Sequence, residues 1–340
     1  MKEDCAWLIN SFSGENMKRI AVMTSGGDSP GMNACIRAVV RYGMAAGVDV
    51  LGIRRGFAGL INNDVIEMDS RAVGGIIRFG GTVLMSARAL EFKTEAGQQR
   101  ALETLNAWGV EGMVVIGGDG SLNGALALHE HGVPVIGVPA SIDNDIGCTE
   151  MSIGVDTALN TILDAVDKIK DTASAHQRAF VIEVMGRSHG YLALMAGVAG
   201  GAELIVLPTS KIDQSVISKD VRAAFLRGKP HFIIIVAEGA KTENGETVTP
   251  IISRIIEEAG HEPRITVLGH VQRGGSPTAF DRLLGTRFGA AAVDRLLAGE
   301  SGKMTCLQSD RIITVDLKEA LGTTPQLRSD ILRLAEPLAM

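Results

Sequence analysis

Short runs of Val, Ile and other apolar residues recur along the chain, each ending in a glycine-bearing loop and followed by a stretch with helical periodicity. The spacing predicts strands at 19–23, 48–53, 112–116, 133–138, 180–184, 203–207, 232–236 and 265–268. Between them it predicts helices at 32–46, 94–108, 121–130, 157–172, 215–227, 251–258 and 281–298. The strand runs are apolar almost without interruption, which marks strands buried on both faces of a mostly parallel sheet covered by helices. In such α/β folds ligands bind at the carboxyl ends of strands, so the residues that follow each strand are the ones to read for chemistry.

After the first strand comes Thr24-Ser25-Gly26-Gly27-Asp28-Ser29-Pro30-Gly31-Met32-Asn33, leading into a helix whose free amides and dipole favour an anion. A lone Gly-Gly is also explained by a turn that needs positive φ. The third predicted strand ends in Gly117-Gly118-Asp119-Gly120-Ser121-Leu122-Asn123-Gly124, which places a carboxylate among glycines. Asp119 there suits Mg²⁺, a cation that takes one or two carboxylates and completes its shell with water and phosphate; it also suits a helix cap or turn. Gly118, Gly120 and Gly124 leave a dinucleotide site open, although the acid such a site wants at the end of the next strand is displaced by a few residues. No GxxxxGK[ST] sequence occurs, which excludes the common P-loop kinases.

The fourth strand ends in Pro139-Ala140-Ser141-Ile142-Asp143-Asn144-Asp145. Two carboxylates directly after an apolar strand need a cation, a donor or a reacting hydroxyl nearby, and either could accept a proton from an attacking alcohol. Basic residues stand at comparable loop positions: Arg88, Arg178, Arg187, Arg264, His270 and Arg273. Carboxylates with a metal, faced by arginines, suit phosphoryl transfer, where positioning and charge neutralisation supply most of the catalysis.

Composition narrows the field. Of 340 residues, 46% are hydrophobic and 21% charged, enough apolar surface for a folded core and too little charge bias for disorder. With 33 basic against 39 acidic residues the net charge is −6, which argues against nucleic acid as a partner. No apolar run approaches the about 20 residues that a membrane span requires. The first 16 residues, acidic near their start, do not resemble a secretory signal and read as an N-terminal extension. Four cysteines, Cys5, Cys35, Cys148 and Cys306, lie far apart with no CxxC pair, which fits a reducing cytoplasm.

Taken together, TSGGDSPGMNACIRAVVR, IGGDGS, PASIDNDI, SAHQR, EVMGR and LGHVQRGGSP resemble the 6-phosphofructokinase family, in order and spacing, from about Lys18 to Ala298. The resemblance implies two Rossmann-like three-layer α/β domains with mostly parallel sheets and an active site in the cleft between them. The larger, nucleotide-binding domain would comprise 17–154 plus 271–321, and the smaller, sugar-phosphate-binding one 155–270 plus 322–340. It implies transfer of the γ-phosphoryl of ATP to the 1-hydroxyl of fructose 6-phosphate, with Mg²⁺, in a cytoplasmic homotetramer with shared active sites and with no nucleic acid or membrane as partner.

Carried over residue by residue, the resemblance makes Asp143 the general base, with Asp145 supporting the metal or the attacking group and Arg187 and Gly27 at the reacting groups. Gly27, Arg88, Ala89, Gly118, Asp119, Gly120, Ser121 and Gly124 would hold ATP, and Asp119 the metal. Ser141, Ile142, Met185, Gly186, Glu238, Val271 and Gln272 would contact the sugar. His270 and Arg273 would hold its 6-phosphate, and Arg178 and Arg264 would reach it from a neighbouring subunit. Relatives that use pyrophosphate carry Asp in place of Gly120 and Lys in place of Ala140, so the small residues here favour ATP. Ala89 departs from the bacterial pattern, which has an aromatic residue or Cys after the arginine. An effector site would draw on Arg37, Arg41, Lys170, Arg227, Lys229 and Glu203. Asp64 stands where bacterial members have an arginine, and is expected to weaken that site for anions.

Overall fold

The structure is a computed structural model that describes residues 17–338 apart from 177, 211–212, 229–230 and 243. The first strand, β1 (Arg19–Ser25), sends Ile20 and Val22 to one face and Ala21 and Met23 to the other, all four fully buried. Strand side chains alternate between faces, so a strand with apolar residues at every position must be covered on both. Ile20 and Val22 join a core with Met32, Ile36 and Val39 of α1 (Met32–Ala45). Ala21 and Met23 pack instead with Leu105 of α3 (Glu95–Ala107) and Leu122 and Leu128 of α4 (Asp119–Glu130).

Internal packing divides the chain into two units. The first is built from the chain up to Ser141, from Ile146–Gly154 and from Arg273–Pro325. It holds β1, β2 (Asp49–Ile53), β3 (Val65–Met68), β4 (Gly112–Gly117), β5 (Val135–Pro139), β10 (Lys303–Gln308) and β11 (Arg311–Asp316). Their order in the sheet is β11-β10-β5-β4-β1-β2-β3, parallel except for the pairs β2–β3 and β10–β11. Besides α1, α3 and α4, this unit carries α2 (Gly56–Ile61), α9 (Ala279–Leu297) and α10 (Leu317–Gly322). The chain leaves β1 towards β2 on one side and returns to β4 on the other, so the carboxyl ends of β1 and β4 flank the switch point where such sheets bind ligands. Ser25 pairs in register with Gly117, which starts the two glycine turns side by side.

The second unit comprises Ile142–Asp145, Val155–Gln272 and the chain from Gln326. Its sheet of β6 (Ala179–Val184), β7 (Leu204–Val206), β8 (Phe232–Ala237) and β9 (Pro263–Val267) is parallel, in the order β7-β8-β6-β9. Val181, Ile234 and Val236 pack against Val221 of α7 (Gln214–Leu226) and Ile252 and Ile255 of α8 (Val248–Glu258). The remaining helices are α5 (Val155–His176), α6 (Tyr191–Ala199) and α11 (Ser329–Leu338). Each expected strand and helix is present with ends shifted by a few residues; β3, β10, β11, α2, α6, α10 and α11 are additions. No helix among the described residues is long and apolar enough to cross a membrane.

Candidate active site

In the first unit the two glycine turns are in contact. A Cβ added to Gly117 would fall 2.5 Å from the carbonyl oxygen of Ser25 and 2.6 Å from Ser121 Cβ, and one on Gly26, at φ +82°, would meet Ser121 Oγ at 3.0 Å. Only glycine permits this approach of backbone to backbone. Gly27 faces the guanidinium of Arg273, whose Nη1 would lie 2.5 Å from an added Cβ and donates to the carbonyl of Asp28 at 3.4 Å. Asp119 and Gly120 are exposed in the first turn of α4, and nothing lies within 4 Å of a Cβ on Gly120. The helix has no side-chain cap at Gly118, leaving its first amides to other acceptors. Gly124 has a different reason for being glycine: the ring of Phe57 lies 2.4 Å from where its Cβ would be. Arg88 is exposed and Ala89 half-buried against the core beneath α3 and α4. Ala140 is buried and its amide donates to the Gly117 carbonyl at 3.0 Å. Ser141 follows it, its carbonyl accepting from Ser152 Oγ at 2.6 Å.

In the second unit the carboxyl ends of β6, β8 and β9 stand together. Glu238 donates its amide to the Val184 carbonyl at 2.8 Å and accepts from the Arg187 amide through Oε1 at 3.1 Å. Gly186 and Arg187 adopt positive φ, 130° and 46°, and a Cβ on Gly239 would fall 1.8 Å from the Arg187 carbonyl oxygen. This tight turn aims the Arg187 side chain at the loop after β5: Nε lies 3.1 Å from Asp143 Oδ2 and Nη1 3.3 Å from Asp145 Oδ2. The Asp143 side chain is 2% exposed and Arg187 57%, so a buried carboxylate is neutralised by a cation that reaches it from solvent. Between the two aspartates Asn144 adopts a left-handed conformation, φ 49°. Ile142 is buried behind them.

Met185 is buried, and its amide donates to Oε1 of Gln272 at 3.1 Å; Gln272 Nε2 donates to the Gly269 carbonyl at 2.9 Å. Gln272 is thus a fully buried brace for the turn that presents the exposed His270 and Val271. His189, which the sequence reading passed over, lies close enough to Asp145 to feel its charge. Burial lowers its pKa below the usual imidazole value, an effect that Asp145 opposes. A His two residues beyond an arginine in a glycine-bounded turn was the available signal.

Not every expected residue joins these groups. Arg178 precedes β6 and Arg264 is the second residue of β9, at the amino end of the sheet, where both pair with Glu262 at 3.1 and 2.5 Å. Within one chain a strand's length, about 3.3 Å per residue, separates them from His270 and Arg187. Arg37 and Arg41 lie on α1, Arg41 donating to the Ser70 carbonyl at 3.4 Å. Lys170 is spent on the carbonyls of Gly200 and Gly201, Glu203 accepts from the Ile233 amide at 2.7 Å, and Arg227 is exposed after α7. Lys229 lies outside the described residues. Asp64 has its carboxylate clamped by Arg54 and Arg55, each at 2.5 Å. Burial raises its pKa, but the hydrogen bonds and charges of those arginines outweigh this and hold it below the ordinary carboxylate value.

Two doubly wound α/β units with mostly parallel sheets, one presenting paired glycine turns with a carboxylate and the other an aspartate–arginine cluster, carry the groups a phosphotransferase uses. Comparison with known proteins makes the assignment specific. The chain belongs to the phosphofructokinase family, whose model matches residues 19–296. An ATP-dependent 6-phosphofructokinase of Halothermothrix orenii is 51% identical over 332 residues, 95% of this chain and all of that protein. One of Natranaerobius thermophilus is 52% identical over 324 residues, with the same coverage. Among solved structures, phosphofructokinase from Saccharomyces cerevisiae aligns with a TM-score of 0.85 at 36% identity, covering 95% of this chain and 48% of that one. A pyrophosphate-dependent phosphofructokinase from Nitrosospira multiformis shares the fold, with a TM-score of 0.85 at 19% identity.

Proposed function

We propose that the chain transfers the γ-phosphoryl group of ATP to the 1-hydroxyl of fructose 6-phosphate, releasing ADP and fructose 1,6-bisphosphate. The observation that carries this reading is the Asp143–Arg187–Asp145 cluster at the carboxyl edge of the second unit, in a chain whose full-length relatives bear the name ATP-dependent 6-phosphofructokinase. Asp143 takes the proton of the attacking hydroxyl, and Asp145 keeps Arg187 oriented beside it. As the proton arrives, Asp143 no longer holds a full charge, and Arg187 is released to offset the charge of the transferring group.

The first unit holds the donor: Gly27, Gly118 and Gly120 offer backbone amides and open space to phosphates, Ser121 its hydroxyl, and Arg88 and Ala89 flank the nucleotide. Asp119, exposed on the first turn of α4, has the hard oxygen that Mg²⁺ prefers and the access that a nucleotide-borne ion needs. Bound there, the ion would neutralise charge on the donor phosphates. In the second unit Met185, Gly186 and Glu238 line the sugar and His270 binds the 6-phosphate; Ser141, which ends the first segment of the first unit, serves the sugar as well. Arg273, which stands against the Gly27 turn, adds a second cation for the 6-phosphate. Arg178 and Arg264 serve a neighbouring copy in a self-associated enzyme, which works in the cytoplasm, where ATP and sugar phosphates are kept.

A coupled assay that offers ATP and pyrophosphate in turn with fructose 6-phosphate tests the reading. ATP should sustain turnover and pyrophosphate should not. Asp143→Ser should lower kcat by roughly three or more orders of magnitude while fructose 6-phosphate still binds. Turnover with pyrophosphate alone, or an active Asp143→Ser variant, would reject it.

A further inference from the structure

One buried amide side chain governs a long irregular segment of the first unit. Residues 79–88 run between two short 3₁₀ turns, Ile76–Arg78 and Leu90–Lys93, and have no sheet ladder to satisfy their backbone. Asn33, the second residue of α1 and 1% exposed, supplies what is missing. Its Nδ2 donates to the carbonyls of Phe79 at 3.0 Å and Gly80 at 3.2 Å, and its Oδ1 accepts from the Val83 amide at 2.8 Å. A carboxamide alone among side chains of this size offers two donors and an acceptor together without charge. Alanine there would leave three partly buried backbone groups without this partner, and aspartate would lose both donations and bury a charge.

Further anchors fasten the same segment to the first glycine turn. Thr24 Oγ1 shares a 2.8 Å hydrogen bond with Thr82 Oγ1 and donates to the Met85 carbonyl at 3.1 Å. Ser86 Oγ donates to the Gly26 carbonyl at 2.6 Å, and the Arg55 amide donates to the Leu84 carbonyl at 2.8 Å. Met85 is left-handed, φ 59°, so the segment bends sharply between its tethers. Two residues beyond the last tether stands Arg88, exposed.

We infer that Asn33 is a positioning residue for donor binding: by fixing 79–83, in a segment that Ser86 ties to Gly26, it sets where Arg88 stands. The inference rests on the reading of Arg88 as a contact to the nucleotide phosphates. A cation already ordered at the anion's site spares binding the entropy of ordering it, so loosening the segment weakens donor affinity without touching the proton transfer at Asp143.

The test is a double-mutant cycle in the full chain, read by calorimetric titration with adenylyl imidodiphosphate and Mg²⁺ and by steady-state kinetics. Asn33→Ala and Arg88→Ala should each raise the Kd of the analogue about tenfold, the loss of roughly one charge-assisted contact. The double variant should be no weaker than Arg88→Ala alone, with the loss in KM for ATP and none in KM for fructose 6-phosphate. Ser86→Ala, which removes an exposed tether, should weaken the analogue about threefold. Multiplicative losses in the double variant, or equal losses for both substrates, would show Asn33 to be merely structural. Wild-type affinity in Asn33→Ala and Ser86→Ala beside a weakened Arg88→Ala would overturn the positioning alone. Wild-type affinity in Arg88→Ala would remove the donor-site reading and this inference with it.

Discussion

Gly239 and Gly27 both lie where a side chain would collide, but against different obstacles. A Cβ on Gly239 would fall 1.8 Å from the backbone oxygen of Arg187, whose turn is locked by positive φ and by the bond to Glu238. A Cβ on Gly27 would meet only the flexible end of Arg273, at 2.5 Å from Nη1. Gly239→Ala should therefore lower folding stability by roughly 1–3 kcal/mol. Gly27→Ala should leave stability within about 0.5 kcal/mol of wild type while displacing Arg273. Denaturant titration of both variants checks the contrast, and equal losses would contradict it. The candidate site residues that the sequence suggests share one property: Asp119, Asp143, Asp145 and Arg187 follow apolar strands, where side chains are delivered to the ligand edge. Those that were not legible depend on long-range partners. Gln272 sits in a basic loop and reads as a contact residue, yet is buried as a brace between Met185 and Gly269. Asp64 reads as an acid intruding on an anion site, yet Arg54 and Arg55 neutralise it across a β2–β3 pairing that the sequence did not announce.

At the level of elements, what periodicity missed has physical causes. Helix α6, YLALMAGVA, is apolar on every side because it is packed all round, so no amphipathic period marks it. The β10–β11 hairpin was missed because its turn, Ser309-Asp310, lacks the usual glycine although both residues are left-handed, φ 48° and 61°. Register leaves only these two residues between the paired Gln308 and Arg311, the geometry for which Asn-Gly is best suited. Arg287 pairs with Asp310 at 3.0 Å, but the aspartate side chain is 93% exposed, and such a pair is worth little. The change S309N with D310G should therefore stabilise the chain by roughly 1 kcal/mol, raising Tm by a few degrees without altering turnover. An unchanged or lower Tm would mean that the Arg287 contact outweighs the backbone strain.

At the scale of the whole molecule, the basic residues of the second unit divide between the two ends of one sheet. His270 and Arg187 stand at the carboxyl end, while Arg178 and Arg264 stand at the amino end, held by Glu262. No rotamer of a chain in this fold carries an arginine the length of its own strand, so a phosphate bound by His270 can meet Arg264 only if another copy supplies it. β9, the edge strand that carries Arg264, also exposes Ile265 and Val267, at 47% and 60%, an unpaired apolar edge of the kind that another chain covers. The proposed sharing of sites makes a distinctive demand on mixtures. Asp143→Ser and Arg264→Ala homo-oligomers should each be nearly inactive, one lacking the base and the other the borrowed cation. Dissociated, mixed and reassociated, they should regain activity, because a site that draws its base from an Arg264→Ala chain and its arginine from an Asp143→Ser chain is intact in both. Specific activity should rise with mixing towards a fraction set by the number of such hybrid sites, and should fall when the mixture is diluted below its dissociation constant. Mixtures no more active than their parents would mean that Arg264 serves its own chain, and the division of the arginines between the two ends of the sheet would then need another explanation.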